Sequence, residues 1–301
     1  MAGPGDDCAL TRVRPGWLLV SKVDQLVEGV HFSDVFRPEE IGHKALAVAL
    51  SDLAAAGAIP RWILVALSLP PWVDDRFLSG IARGMSRLAH ESQVKLVGGN
   101  LSRAELLSLT VTALGEARPA HALRRSGARA GHELLVTGTL GDAALGLRLL
   151  TAGRPTRLTK AARAQLAPNP RVEVGKLAGR YAAAGIDLSD GLLQDLGHLC
   201  ERSRLGAELE LAALPLSPEL RRLAPQAARE LALIGGEDYE LLFAVPPDAA
   251  GPFRRAAARK GVALTRIGRL RRAAGIRLLD EEGVEVPLPA AGGWDHFRPA
   301  T

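Results

Sequence analysis

An α/β or α+β fold is predicted, and three observations carry that reading. Strand-like and helix-like segments alternate through both halves of the chain. Hydrophobic residues make up 47% of the sequence, ample for a sizeable core, and charged residues an ordinary 24%. The length of 301 residues favours two domains. A loop-like, arginine-bearing stretch near 117–128 divides residues 1–120 from 121–301.

In chain order, the apolar, β-favouring run Trp17 to Val23 predicts a strand that leads into Asp24. Pro38 with Glu39-Glu40 marks a helix start, and the small and apolar residues from Ile41 to Ala56 predict a buried helix. Asp52 lies inside that helix, where a carboxylate is costly unless something pairs it. Trp62 to Leu69 reads as a strand and Asp74 to His90 as an amphipathic helix with Phe77, Leu78, Ile81, Met85 and Leu88 on one face. Val94 to Val97 is expected as a short strand ending at a Gly98-Gly99-Asn100 turn, followed by a strand over Leu106 to Leu114. The second half restarts with strand Glu133 to Thr137, a glycine turn, and a helix from Asp142 to Thr151. Pro168 to Arg171 opens a helix expected to run to Ala184. A helix over Leu192 to Ser203, strands at Ala207 to Leu211 and Glu240 to Val245, a helix from Asp248 to Lys260, and strands near 262–267 and 276–280 complete the pattern.

The balance of 38 basic against 33 acidic residues gives a net charge of +5, which permits an anionic ligand without requiring nucleic acid. Aromatics are only 4%, and the arginines are scattered rather than gathered on a basic, aromatic-interleaved face, so no nucleic-acid partner is expected. Cys8 and Cys200 form neither a metal-binding spacing nor a disulfide framework. No uncharged run approaches the ~18 residues of a membrane span, and Met1 to Asp7 lacks an apolar signal core. A cytoplasmic protein with no membrane partner is expected.

Chemistry concentrates on acidic positions. Asp187-Leu188-Ser189-Asp190-Gly191 follows a short apolar run and precedes a helix. Alone it reads first as a helix N-cap. Asp7, Asp24, Asp187 and Asp190 share a context, each beside glycine, at a predicted strand end, or both, and Asp52 is the lone acid in its apolar helix. Together they suggest carboxylates converging on cations. With no His/Cys cluster, zinc is disfavoured, and oxygen ligands favour Mg²⁺, which in enzymes usually accompanies phosphates. No Walker A or GxGxxG sequence is present, so phosphate binding would use Gly98-Gly99, Gly138 to Gly141 or Gly235-Gly236. Arg125 reads as a surface arginine or as a phosphate partner. His31 reads as a structural histidine or a ligand contact, and Trp294 as a stacking platform or a tail anchor. Ser189 has no evident base partner, so a hydrolase nucleophile is a poor reading.

Taken together and in order, Gly5-Asp6-Asp7-Cys8-Ala9, Leu26 to Phe32, Lys44 to Gly57, Gly98-Gly99, Ser126-Gly127-Ala128, Asp187 to Leu192, Gly235 to Leu241 and Trp294 to Phe297 resemble the thiamine-monophosphate kinase family of the aminoimidazole-ribonucleotide-synthetase-like superfamily. The resemblance implies transfer of the ATP γ-phosphoryl group to thiamine monophosphate by direct, Mg²⁺-assisted phosphoryl transfer. It implies an N-terminal mixed sheet that pairs with a second copy into a barrel-like homodimer core, and a C-terminal α/β domain completing the cleft. By position, Asp7, Asp24, Asp52, Asp187 and Asp190 resemble metal ligands. Gly99, Asn100, Arg125 and Ser189 resemble ATP contacts, and His31, Glu237 and Trp294 substrate contacts.

The departures are local. Asn100-Leu101 stands where the family usually has Asp-Thr, so one metal-ligand carboxylate is an amide, and Lys22-Val23 precedes Asp24 in place of hydroxyl residues. Two readings follow: the Lys22 ammonium replaces one bound cation in a working kinase, or the chain is a degenerate paralogue that binds nucleotide or thiamine phosphate as a sensor or partner.

Overall fold

A computed structural model describes residues 11–153 and 159–289. The first unit runs through strand β1 (Leu18–Val27), helix α1 (Pro38–Ala55), β2 (Ile59–Leu69), α2 (Asp75–Glu91), β3 (Lys95–Arg103) and β4 (Ser108–Ala117). Its four strands are ordered β1-β4-β2-β3. Strand β4 is antiparallel to both β1 and β2, while β2 and β3 are parallel and joined through α2, the crossover that parallel pairing demands.

Helix α1 is the centrepiece. Pro38 fits the first turn because its missing N–H would be unsatisfied there, and Glu39 and Glu40 complement the positive helix end. The Glu40 carboxylate accepts from the Arg37 backbone N–H at 2.7 Å. Beyond that turn the helix is apolar nearly all round, the pattern of a helix buried on every side. The first sheet, α2 and the second unit surround it.

The second unit contains β5 (Glu133–Thr137), α3 (Asp142–Thr151), α4 (Lys160–Leu166), α5 (Val172–Ala178), β6 (Ala184–Asp187), α6 (Leu192–Ser203), β7 (Gly206–Glu210), α7 (Pro218–Leu223), α8 (Ala228–Ile234), β8 (Leu241–Val245), α9 (Pro247–Ala258), β9 (Leu264–Arg271), β10 (Ile276–Leu279) and β11 (Glu285–Val286). Its sheet is ordered β11-β10-β7-β9-β5-β8-β6. Side chains alternate across this sheet with period two. Leu135, Leu241 and Phe243 join the core around α1, whereas Leu134, Val136 and Leu242 meet Leu196 and Leu199 of α6 on the other face. Because both faces are covered, β8 reads as the unbroken apolar run Leu-Leu-Phe-Ala-Val. No helix among the described residues is long and apolar enough to cross a membrane.

Several elements differ from the sequence expectation. Gly98-Gly99-Asn100 is not a turn: β3 continues through it, with Gly99 opposite Val65 and Asn100 opposite Ala66 of β2. Glycine is required at 99 by close approach, since a Cβ there would lie 2.1 Å from the Val65 carbonyl oxygen. The helix expected to reach Ala184 ends at Ala178, because the Ala183 N–H is drawn into pairing with the Ala244 carbonyl at 2.9 Å. Helices α4, α7 and α8 and strand β11 have no counterpart in the sequence expectation; Thr159 caps α4, its hydroxyl accepting from the Ala162 N–H at 3.1 Å.

Candidate active site

A cavity of about 520 Å³ lies where the two units meet. Strand alternation builds its first wall. Lys22, Asp24 and Leu26 share the inward face of β1, while Ser21, Val23 and Gln25 are more exposed. Helix α1 supplies a second wall through Lys44, Val48 and Asp52, spaced at i, i+4 and i+8 and therefore stacked along one helix face. Val48 and Asp52 line the cavity directly.

The second unit contributes two zipped loops. Asp187 ends the buried strand β6, and Ser189 and Asp190 follow before α6 begins. Gly191 is the N-cap residue, with φ +113°, and a Cβ there would lie 2.9 Å from the Ile234 carbonyl. Neither Ser189 nor Asp190 caps α6 with its side chain, so the capping reading of this stretch fails and both side chains line the cavity instead. Asp195, one turn into α6, accepts from the Asp190 N–H at 3.0 Å and holds the loop. The neighbouring loop lies against it: Glu237 N–H donates to the Ser189 carbonyl at 2.7 Å, and Tyr239 N–H to the Leu188 carbonyl at 2.9 Å. Glu237 and Tyr239 both have positive φ, +68° and +48°, an uncommon conformation for such residues.

The electrostatics divide the cavity into two ends. At one, Lys22 Nζ lies 2.8 Å from Asp52 Oδ2 and 3.3 Å from Asp24 Oδ1. Burial alone would lower the Lys22 pKa, but the charges of Asp52 and Asp24 more than offset it and hold the value above the ordinary lysine range. Burial, reinforced by the Asp52 charge, raises Asp24 to about 6 despite Lys22. Burial and then the Asp52 charge raise Asp187 well above the usual carboxylate range. These acids crowd one another and are short of positive charge. Asp24 Oδ2 is buried and has no hydrogen-bond partner among the described residues.

That donor set fits a hard cation. Among the described residues no three carboxylate, imidazole or thiol side chains close round a metal by themselves. Mg²⁺ does not need such a cage, because it takes one or two carboxylates and completes its shell with phosphate oxygens and water. At the other end His31 and Glu237 line the cavity. His31 Nδ1 accepts from the Val27 N–H at 3.1 Å, which fixes the ring in its turn.

The chain matches the family model described as AIR synthase related protein, N-terminal domain, over residues 5–117, and the corresponding C-terminal domain over 129–281. It is 40% identical over 300 residues to the thiamine-monophosphate kinase of Escherichia coli (strain K12), spanning 98% of this chain and 91% of that protein. The chain belongs to the thiamine-monophosphate kinase family. The crystal structure of thiamine-monophosphate kinase from Stenotrophomonas maltophilia K279a superposes with a TM-score of 0.87 at 41% identity, covering 92% of this chain and 90% of that one. AaThiL complexed with AMPPCP and TMP superposes with a TM-score of 0.84 at 34% identity, covering 95% and 89%.

In this thiamine-monophosphate kinase family member, the residues singled out by sequence fall into three groups. Asp24, Asp52, Asp187, Asp190, Arg125, Ser189, His31 and Glu237 all line the one cavity. Gly99 and Asn100 do not line it; they are exposed on β3, an edge strand of the first sheet. Asp7 and Trp294 lie outside the described residues. Sequence reasoning missed Gln165 and Tyr239, which also line the cavity, and Lys44 behind it. Lys44 carried the same signal as Asp52, a charge within an apolar helix, two turns earlier on the same face. Gln165 carried none, because its helix went unrecognised.

Proposed function

We infer that this chain transfers the γ-phosphoryl group of ATP to the phosphate of thiamine monophosphate, giving thiamine diphosphate and ADP. The observation that carries this reading is the convergence of Asp24, Asp52, Asp187 and Asp190, drawn from both units, on one cavity with His31 and Glu237 at its other end. An oxygen of the acceptor phosphate forms a bond to the γ-phosphorus as the bond to the bridging β–γ oxygen breaks, and the electron pair leaves with ADP. Both reactants are anionic, so the protein must neutralise and align charge more than supply a nucleophile.

The residues divide that work. Arg125 offers a planar fork of donors to phosphate oxygens, and Ser189 offers a hydroxyl on the loop bound to the Glu237 segment. Asp24, Asp52, Asp187 and Asp190 would hold Mg²⁺, with Asp7 as a further candidate. The chemistry such an ion supplies when held there is neutralisation of phosphate charge. Lys22 supplies a fixed positive charge between Asp24 and Asp52. That arrangement favours a working kinase that needs fewer divalent ions. Gly99 and Asn100 as nucleotide contacts, Trp294 as an acceptor contact, and a cytoplasmic setting, where ATP is available, complete the proposal.

A homodimer is proposed from the first sheet. Both its edges, β1 and β3, carry exposed apolar side chains: Leu18, Leu19 and Val23 on one, Leu96 and Leu101 on the other. Such edges are normally paired or covered. The decisive assay incubates the purified chain with ATP and thiamine monophosphate across Mg²⁺ concentrations. Equal amounts of thiamine diphosphate and ADP are expected; nucleotide binding without product would overturn the reading.

A further inference from the structure

The stretch that links the two units carries Arg125, and the fold fastens that stretch at three points. Strand β6 is an edge of the second sheet, so among the described residues one side of its backbone has no strand partner. The linking stretch takes that side. The Gly185 N–H donates to the Arg124 carbonyl at 3.1 Å. Gly127, with φ +113°, is pressed against the chain just before β6, where a Cβ would lie 2.8 Å from the Ala183 carbonyl oxygen. The third point comes from the far end of α6. The Ser203 hydroxyl, on the last residue of that helix, donates to the Arg125 carbonyl at 2.9 Å.

These contacts place Arg125 in the same frame as the carboxylates. Strand β6 ends at Asp187, and α6 begins directly after Asp190 and Gly191. Arg125 is an exposed residue, yet it lines the cavity with Asp187, Ser189 and Asp190. Its charge reaches Asp195 in the first turn of α6, where burial raises the carboxyl to about 7 and the Arg125 charge pulls the other way. Asp195, Leu199 and Ser203 are spaced at i, i+4 and i+8 and share one face of α6. One helix thus holds the Arg125 backbone at its C-terminal end and meets the field of its guanidinium near its N-terminal end. An arginine side chain has many rotamers to lose on binding, and fixing its backbone limits how far the guanidinium strays.

We propose that Ser203 is a positioning residue for Arg125, and that its hold on the Arg125 carbonyl sets the guanidinium to meet the phosphates of the nucleotide. Ser203 itself does not line the cavity. Without its hydroxyl the charge remains but is spread over more positions, so the cost falls on nucleotide binding and not on the acceptor. The proposal rests on Arg125 being a phosphate contact.

The test measures Kd by calorimetry on the full chain with Mg²⁺ present, for a non-hydrolysable ATP analogue and separately for thiamine monophosphate. Ser203→Ala should weaken the ATP analogue roughly 3- to 10-fold and leave thiamine monophosphate unchanged. Ser203→Thr keeps the hydroxyl and should restore the affinity. Arg125→Ala keeps the backbone carbonyl and should weaken the ATP analogue roughly 10- to 100-fold. The double variant Ser203→Ala/Arg125→Ala should bind no more weakly than Arg125→Ala alone, because Ser203 acts only through that side chain. A merely structural serine would instead add its loss to that of Arg125. Wild-type affinity in Ser203→Ala, a threonine variant as weak as the alanine one, or additive losses in the double variant would each overturn the role of Ser203. Wild-type affinity in Arg125→Ala would overturn it too, together with the reading of Arg125 as a phosphate contact, so the two failures are told apart.

Discussion

Lys22 turns the cation end of the cavity from a cluster of bare carboxylates into a partly compensated one. Its ammonium spans Asp52 and Asp24 at 2.8 and 3.3 Å. Replacing it while restoring the missing acid, as Lys22→Thr with Asn100→Asp, should raise Mg²⁺ affinity by on the order of tenfold, read as the Mg²⁺ concentration for half-maximal turnover. A fall in affinity would refute the role given to Lys22. Asp187→Asn removes one of the carboxylates proposed to hold Mg²⁺. It should cut kcat by roughly 10²–10³, with the far-ultraviolet circular dichroism of the fold retained; near-normal kcat would remove Asp187 from the cation site. These acids were legible in the sequence because a carboxylate beside glycine at a strand end, or inside an apolar helix, is costly without a purpose. Gln165 was not legible, because an uncharged side chain on a short surface helix violates no rule. Only the orphaned oxygen in the folded chain marks it out.

At the scale of elements, the loop before α6 is held by Asp195 rather than by its own acids. Asp195 is 2% exposed, and burial pushes its carboxyl up to about 7, against the pull of the Asp190 N–H. The folded chain therefore keeps a proton that the unfolded chain releases near its ordinary value of 3.8. Stability should fall as pH rises from about 4 to about 7, by at most about 1.4 kcal/mol per pH unit, and then level off. Asp195→Asn carries no such proton, so in metal-free buffer the wild type should lose ground to it between pH 5 and pH 7 on the order of 1–2 kcal/mol. A constant difference across that range in denaturant titrations would exclude the buried acid as the cause. Helices α1, α2 and α3 were readable because each has a start signal and an apolar pattern. Strand β3 was misread because a Gly-Gly pair usually marks a turn. Only its pairing with β2 shows that Gly99 is there to let two backbones approach.

For the whole molecule, the first sheet presents two uncovered edges with exposed leucines. If those edges meet in a second copy, Leu101→Glu should shift the protein from dimer to monomer in multi-angle light scattering. An unchanged mass would rule out β3 as the contact. The alternation of elements made the fold class legible, but how the two units meet was not, since that depends on a single helix packed into both. That helix also sets a distance. Lys44 and Asp52 lie eight residues apart on one face of α1, a rise of about 12 Å between the ammonium that holds Glu237 and the carboxylate that meets Lys22. Helix α1 is in effect a measuring rod laid along the cavity. One alanine inserted between Val48 and Asp52 would turn Asp52 by ~100° off that face, and no adjustment of the loops could restore the gauge.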